Sequence, residues 1–112
     1  MSLNSTIINA LKPFAPVSFH NYTGTATTYI TFFTYHQGTN LTADDEEKST
    51  RFNVQIDVFS KGNLETLVEN VKDALKPYGF RRITEVEMFE VNTKTYRKML
   101  NFSVAIDTDE MI

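Results

Sequence analysis

The sequence predicts an α+β fold: a mostly antiparallel β-sheet, two helices packed on one of its faces, and a long hairpin loop. Three observations predict it. The 112 residues include nine Phe and five Tyr but no Trp, and aromatic residues fit a pleated, half-buried surface. Two segments repeat apolar residues at helical spacing, and several others alternate apolar with polar residues. This length supports one hydrophobic core, so we expect a single domain over residues 1–112.

The first predicted elements are a short helix and a short strand. Residues 2–12 form an apolar stripe with Ser2 or Ser5 as candidate N-cap and Pro13 as the stop. Residues 17–22 then alternate like a strand, and residues 23–25 give a turn signal. The stripe of the helix consists of Leu3, Ile7, Ile8 and Leu11.

The next strand, over residues 28–35, is apolar on both faces. Ile30 and Phe32 lie on one face, and Tyr29, Phe33 and Tyr35 lie on the other. The segment has no charged residue and no proline. A free edge of this kind is an aggregation hazard, so the strand is either central in the domain or covered by a partner.

Residues 36–50 are polar and show no hydrophobic periodicity, which predicts a long loop. Residues 51–60 alternate again, so the two strands and the excursion between them predict a hairpin with a protruding loop. The inward positions of the second strand are Phe52, Val54, Ile56 and Val58.

Residues 63–76 give the strongest helical signal, with Asn63 as the expected N-cap and Pro77 and Gly79 as the end. Residues 82–91 and 95–106 follow as two strands joined by a turn at residues 92–94. The apolar face of the helix consists of Leu64, Leu67, Val68, Val71 and Leu75.

Composition excludes several classes of function. The chain has no cysteine, which excludes a disulfide framework, a thiol nucleophile and a cysteine-based zinc site. The net charge of −3 argues against binding nucleic acid through bulk positive charge. No apolar run is long enough for a membrane span, and the first residues do not form a signal peptide. We expect a soluble protein with neither sequence-specific nucleic-acid binding nor membrane insertion.

The most conspicuous charged cluster is the run Asp44, Asp45, Glu46 and Glu47. A calcium loop needs alternating acids with a glycine at its sixth position, and that pattern is absent. The alternatives to a metal site are a solvated loop tip and a surface that meets a partner. We expect no metal and no cofactor.

No arrangement of residues predicts catalysis. His20 and His36 end neighbouring strands, and no nucleophile-elbow glycine pattern accompanies them. The four glycines are scattered, so no phosphate-binding loop is predicted. We therefore expect a protein that is not an enzyme and has no catalytic residues.

Self-association has a candidate surface instead. Tyr29, Phe33 and Tyr35 point outward from their strand, and Phe59 lies on the adjoining one. Exposed aromatic patches of this size mark interfaces. These four residues are the predicted oligomer interface.

The order of segments resembles the tail-completion, or tail-terminator, proteins of long-tailed bacteriophages and prophages. The resemblance lies in TYITFFTYHQ, a polar acidic loop, the run from residue 55 to residue 61, the following helix, and Tyr78-Gly79-Phe80. It implies a homo-oligomeric ring, commonly a hexamer, that caps the tail tube and meets the head connector. It implies assembly in the host bacterial cytoplasm and a place in the virion tail. It also implies a position for the acidic loop, with Asp44 to Glu47, at the ring's lumen or docking face.

Two other functions stay open at this point. One is a small cytoplasmic adaptor that binds a ligand or peptide at an exposed sheet edge. The other is an enzyme whose site forms only between subunits. A ring predicts one large oligomer, whereas an adaptor predicts a monomer or dimer with an open edge or groove.

Overall fold

A computed structural model describes residues 2–43 and 46–107, with the backbone alone for residues 40–43 and 46–48. It contains two helices and five strands, which confirms the predicted α+β class. A single turn of 3-10 helix, Lys76–Tyr78, follows the second helix. In chain order the elements are α1 (Leu3–Leu11), β1 (Val17–Phe19), β2 (Tyr29–Ala43), β3 (Glu46–Ser60), α2 (Glu65–Leu75), β4 (Arg81–Glu90) and β5 (Thr95–Asp107).

The five strands form one sheet in the order β1-β2-β3-β5-β4. β1 pairs with β2 in parallel, and every other pair is antiparallel. β1 covers only three positions of β2, from Ile30 to Phe32. β4 forms the opposite edge along its whole length. The sheet is therefore mostly antiparallel, as predicted, with one edge only partly covered.

Polar side chains lie at the start of each helix, and a glycine lies at the end of the second helical segment. The Ser2 hydroxyl oxygen accepts a hydrogen bond from the Ser5 amide at 3.1 Å, which caps α1. The N-cap of α2 is Leu64, one residue after the predicted Asn63, and it makes no side-chain capping bond. Asn63 Oδ1 instead accepts from the Glu65 amide at 2.8 Å, just before the helix. Gly79 has φ of 87°, a left-handed conformation that glycine adopts without strain and that ends the helical segment.

Both helices pack on the same face of the sheet. Alternation places Ile30, Phe32 and Thr34 of β2 on this face, together with the even-numbered residues of β3 from Thr50 to Val58. Leu67 differs from the expected pattern, since it is only partly buried and packs at the margin of the core. The core includes Ile7 and Leu11 of α1, Val68, Val71 and Leu75 of α2, and Ile30, Phe32, Val54, Ile56, Val58, Leu100, Phe102 and Val104 of the sheet.

The prediction of a long loop over residues 36–50 is wrong. β2 continues to Ala43 and β3 begins at Glu46, so two 15-residue strands form one long hairpin. The pairing continues through Thr42 with Glu47 and Ala43 with Glu46. Residues 36–50 contain Leu41 and Ala43 as their apolar residues, and so they lack the alternation by which a strand is recognised in sequence. Asp44 and Asp45 lie outside the described residues.

Charged groups join α2 to the edge of the sheet. Glu85 Oε1 accepts from Lys72 Nζ at 3.3 Å and from Arg82 Nη1 at 3.0 Å. Lys98 Nζ lies 3.7 Å from the other carboxylate oxygen. Burial alone would raise the pKa of Glu85, but the hydrogen bond from Lys72 and the three neighbouring cations lower it. Glu85 is thus a carboxylate held in its charged form by the fold.

Candidate interaction surface

The sheet face opposite the helices carries aromatic and charged side chains. Its odd-numbered positions include Tyr29 and Phe33 of β2, Asp57 and Phe59 of β3, and Arg97 of β5. These five residues define what we call the open face. Tyr29 pairs with Phe59, and Phe59 pairs with Arg97, so the register brings three of them into one cross-strand row.

Three rings and a guanidinium stack along the open face. Tyr22 stacks on Tyr29 with ring centroids 4.4 Å apart, and Tyr29 stacks on Phe59 at 4.6 Å. Arg97 Cζ lies 5.2 Å from the centroid of the Phe59 ring. Aromatic stacking and cation–π contact each add attraction beyond the area they bury. The row is therefore a rigid, preformed surface.

An ion pair lies beside this stack. Arg97 Nη2 donates to Asp57 Oδ2 at 2.9 Å, and Gln55 Nε2 donates to Asp57 Oδ1 at the same distance. Arg97 Nη1 lies 3.8 Å from Glu90 Oε1. Asp57 is only 3% exposed although no helix covers this face. The Asp57 carboxylate is thus desolvated by its neighbours on the sheet itself, and its hydrogen bonds compensate that cost.

The open face is concave. A recess of about 530 Å³ lies over it, lined by Tyr29, Phe33, Asp57, Arg97 and His20 among others. The His20 ring stacks on Phe33 with centroids 5.6 Å apart. Burial raises the pKa of the Tyr29 hydroxyl, and the charge of Glu90 raises it further. The recess therefore combines aromatic walls with an ion pair whose carboxylate is buried.

Three of the four predicted interface residues, Tyr29, Phe33 and Phe59, lie together on the open face. Tyr35 does not continue their row. A β-bulge lies between Thr34 and His36, and His36 takes the position opposite Asn53 that strict alternation would give to Tyr35. Tyr35 itself is 49% exposed.

Sequence reasoning missed three other members of this surface, Tyr22, Asp57 and Arg97. Asp57 and Arg97 are 40 residues apart in the chain, so their contact depends on a strand register that periodicity alone does not specify. The only signal in the sequence was a charged residue at an outward position between two apolar ones, at Asp57.

A second exposed apolar surface lies along β4. Val86 and Met88 share one face of this edge strand and are 49% and 46% exposed. On the other face Phe89 contacts Tyr96 of β5, with ring centroids 4.8 Å apart. An edge strand that exposes apolar side chains on both faces is an uncommon feature of a monomeric protein.

The remaining predicted residues have these positions. His36 Nδ1 lies 3.3 Å from Asn53 Oδ1, and His20 contacts aromatic rings. Within residues 2–43 and 46–107, no group of His, Asp and Glu side chains could hold a metal ion. Glu46 and Glu47 are paired strand residues whose side chains are not described, and Asp44 and Asp45 lie outside the description.

Within the described residues, 2–43 and 46–107, neither helix has the length and apolar character needed to cross a membrane.

Comparison with known proteins finds a likeness among solved structures. No family model matches the chain, and no curated protein matches it. Among solved structures, the chain is similar to a chain of the virion of the native gene transfer agent (GTA) particle. The TM-score is 0.63 and the sequence identity 12%, over 95% of each chain. The two chains therefore share a fold over nearly their full lengths.

Proposed function

We propose that this protein is a non-enzymatic structural component of a phage or phage-like tail. It forms a homo-oligomeric ring, a hexamer by resemblance, that terminates the tail tube and joins it to the head connector. Its partners are further copies of itself, the tube protein and the connector protein. It assembles in the host bacterial cytoplasm and resides in the virion tail.

The observation that supports this proposal most is the fold shared with a chain of a GTA virion over 95% of both chains. The tail-terminator-like order of segments in the sequence supports the finer role. The open face adds a physical reason for assembly, because it presents preformed aromatic surface that is not covered by either helix.

Light scattering coupled to size exclusion, at several protein concentrations, tests the proposal. The wild type should form one discrete oligomer much larger than a dimer, visible as rings by negative-stain electron microscopy. Phe33→Asp should prevent its formation, because a carboxylate placed in an apolar interface is costly to desolvate. Tyr35→Asp is the second variant, since Tyr35 is exposed beside the bulge rather than in the row of Phe33.

Circular dichroism shows whether each variant keeps its fold. A wild type that forms no oligomer at high concentration contradicts the ring. A wild type that forms only a dimer, and whose assembly neither folded variant changes, also contradicts it. A dimer or monomer that binds a peptide would instead support the adaptor function. The free edge of β4 is the observation that favours this second candidate.

A further inference from the structure

The uncovered edge of β2 is the most unusual feature of the sheet. β1 pairs with β2 only at Ile30, Thr31 and Phe32, and within the described residues no strand lies beside residues 34–43 on that side. Residues 28–43 contain no Asp, Glu, Lys, Arg or Pro. Natural sheets protect an edge with charges, proline, or a covering element. Along residues 34–43 this edge has no charge, no proline and no described covering strand, and only bulges between Thr34 and His36 and between Thr39 and Thr42 interrupt it.

Two backbone hydrogen bonds show which backbone groups point out of that edge. The Ile30 amide donates to the Pro16 carbonyl at 2.8 Å, and the Phe32 carbonyl accepts from the His20 amide at 2.9 Å. Alternate residues of a strand direct their backbone groups to the same side. Thr34 is the next residue in this series, so its amide and carbonyl point out of the sheet, past the end of β1.

The other edge can be assigned through one row of the sheet. Ile30 is paired with Val58, Val58 with Lys98, and Lys98 with Glu87. Opposite residues in an antiparallel pair either exchange both hydrogen bonds or neither. The backbone N–H and C=O of Ile30 point away from β3, so those of Val58 point to β5. The backbone groups of Lys98 then point to β3, and those of Glu87 point out of the sheet. Glu85 and Phe89 share this direction by alternation.

We propose that the free edge of β2 pairs with the outer edge of β4 from a second copy of this chain, a proposal that rests on the self-assembly proposed above. The two edges match in length, since β4 has ten residues and residues 34–43 are uncovered on β2. They also match in direction. β2, β3, β5 and β4 alternate in direction across the sheet, so β4 of a copy in the same orientation meets β2 antiparallel.

Charge favours this head-to-tail contact over a two-fold one. In a two-fold contact, the β4 edges of two copies would pair with each other. If the axis passed through the middle of Glu85, Glu87 and Phe89, Glu87 would lie opposite Glu87 of the second copy, and like charges directly opposite are destabilising. The β2 edge presents no charged residue to Glu85 or Glu87. A head-to-tail contact also covers both edges of every copy at once, and such contacts form a ring when the rotation closes.

The position of β1 fixes how neighbouring copies are offset. Arg81 lies level with His36, through Ser103 and Asn53. The middle of β4, from Glu85 to Glu87, lies level with the three residues of β2 that β1 already covers. The incoming β4 must therefore shift along β2 toward the far end of the hairpin. Strands in such a ring are tilted relative to its axis, as they are in closed barrels.

The test removes one outward amide at each edge. Thr34→Pro and Glu87→Pro each delete an N–H that no neighbouring strand of the same copy uses, and edge strands tolerate proline at such positions. Thr34→Ala and Glu87→Ala are the matched controls, because they lose the same side chain and keep the amide. We expect both proline variants to be folded monomers by circular dichroism and sedimentation, and both alanine variants to assemble like the wild type.

Mixing the two proline variants gives the decisive result. Thr34→Pro retains a competent β4 edge and Glu87→Pro a competent β2 edge, so their mixture should form a 1:1 dimer and nothing larger. Folded proline variants that still form rings would overturn the edge contact and leave the proposed function standing. A wild type that is monomeric at every concentration would overturn both. Proline variants that remain unassembled when mixed, while folded, would also overturn the head-to-tail contact.

Discussion

Arg97 Nη2 donates a hydrogen bond to Asp57 Oδ2 at 2.9 Å on the sheet face that the helices leave uncovered. The Asp57 side chain is 4% exposed and that of Arg97 is 29% exposed. A nearly buried carboxylate therefore depends on a guanidinium that is itself partly hydrated. The Phe59 ring under Arg97 restricts where that guanidinium can lie, so the ion pair and the aromatic stack stabilise each other.

The first prediction concerns this ion pair. Asp57→Ala should lower the free energy of unfolding by about 1.5–3 kcal/mol, because hydrogen bonds to charged groups are lost and Arg97 keeps its desolvation cost. Asp57→Asn is the matched control, since its amide oxygen can still accept from Arg97, and it should lose less. Urea unfolding at neutral pH measures both values. Equal stability of Asp57→Ala and wild type would show that Asp57 is not desolvated in solution.

The second prediction concerns the core face of α2. Leu75 is 0% exposed, whereas Leu67 is only partly buried at the margin of the core. Leu75→Ala should cost about 2–5 kcal/mol of unfolding free energy, as expected for a cavity in a packed core. Leu67→Ala should cost clearly less. Denaturant melts of the two variants test the assignment, and a larger loss for Leu67→Ala would mean that the helix is rotated.

The third prediction concerns the pH dependence of stability through Glu85. Its folded-state pKa lies below the ordinary value of 4.5, so its contribution is present above that pH and is lost as the pH falls through the folded-state pKa. Glu85→Gln should therefore be less stable than wild type at pH 7 and lose less stability on acidification. Glu87→Gln, which removes only a 3.7 Å contact with Lys98, is the control. Parallel acid limbs for wild type and Glu85→Gln would contradict the prediction.

The fourth prediction concerns metal ions. Adding calcium, magnesium or zinc, each with a chelator control, should leave the melting temperature unchanged. The physical reason is that the run of four acids lacks the alternating pattern and the glycine of a calcium loop, and that no group of His, Asp and Glu among the described side chains could hold a metal ion. A reproducible rise of several degrees with one ion would show binding to the folded state. It would make Asp44, Asp45 and their neighbours a metal site.

Hydrophobic periodicity predicted the elements that contribute to the core. The strip Leu64, Val68, Val71 and Leu75 is buried as expected, and β3 was recognisable from Phe52 to Val58. Residues 36–43 were misassigned because periodicity reports burial rather than strand conformation, and His36, Gln37 and Thr39 of this segment are exposed. The misplacement of Tyr35 has a local cause, since one bulge shifts the alternation by one residue.

The candidate surface could be predicted only in part. Tyr29, Phe33 and Phe59 were identifiable because they are aromatic residues at outward positions of two adjoining strands. Asp57 and Arg97 come together through a register between β3 and β5, which the sequence does not specify without knowing which strands are neighbours. The exposed edges of β2 and β4 depend on strand order, and strand order is a property of the whole sheet.

The long β2–β3 hairpin sets the longest dimension of the molecule. Fifteen residues at about 3.3 Å each extend about 50 Å, and the longest dimension of the molecule is 53 Å against 23 Å in the other two. The length of the molecule is thus set by the number of paired residues in the hairpin rather than by the packing of the core. Deleting two residues from each of the two strands would preserve the alternation of faces along the strands that remain. The molecule would become about 7 Å shorter. A partner that contacts the end of the hairpin would then lie closer by the same distance.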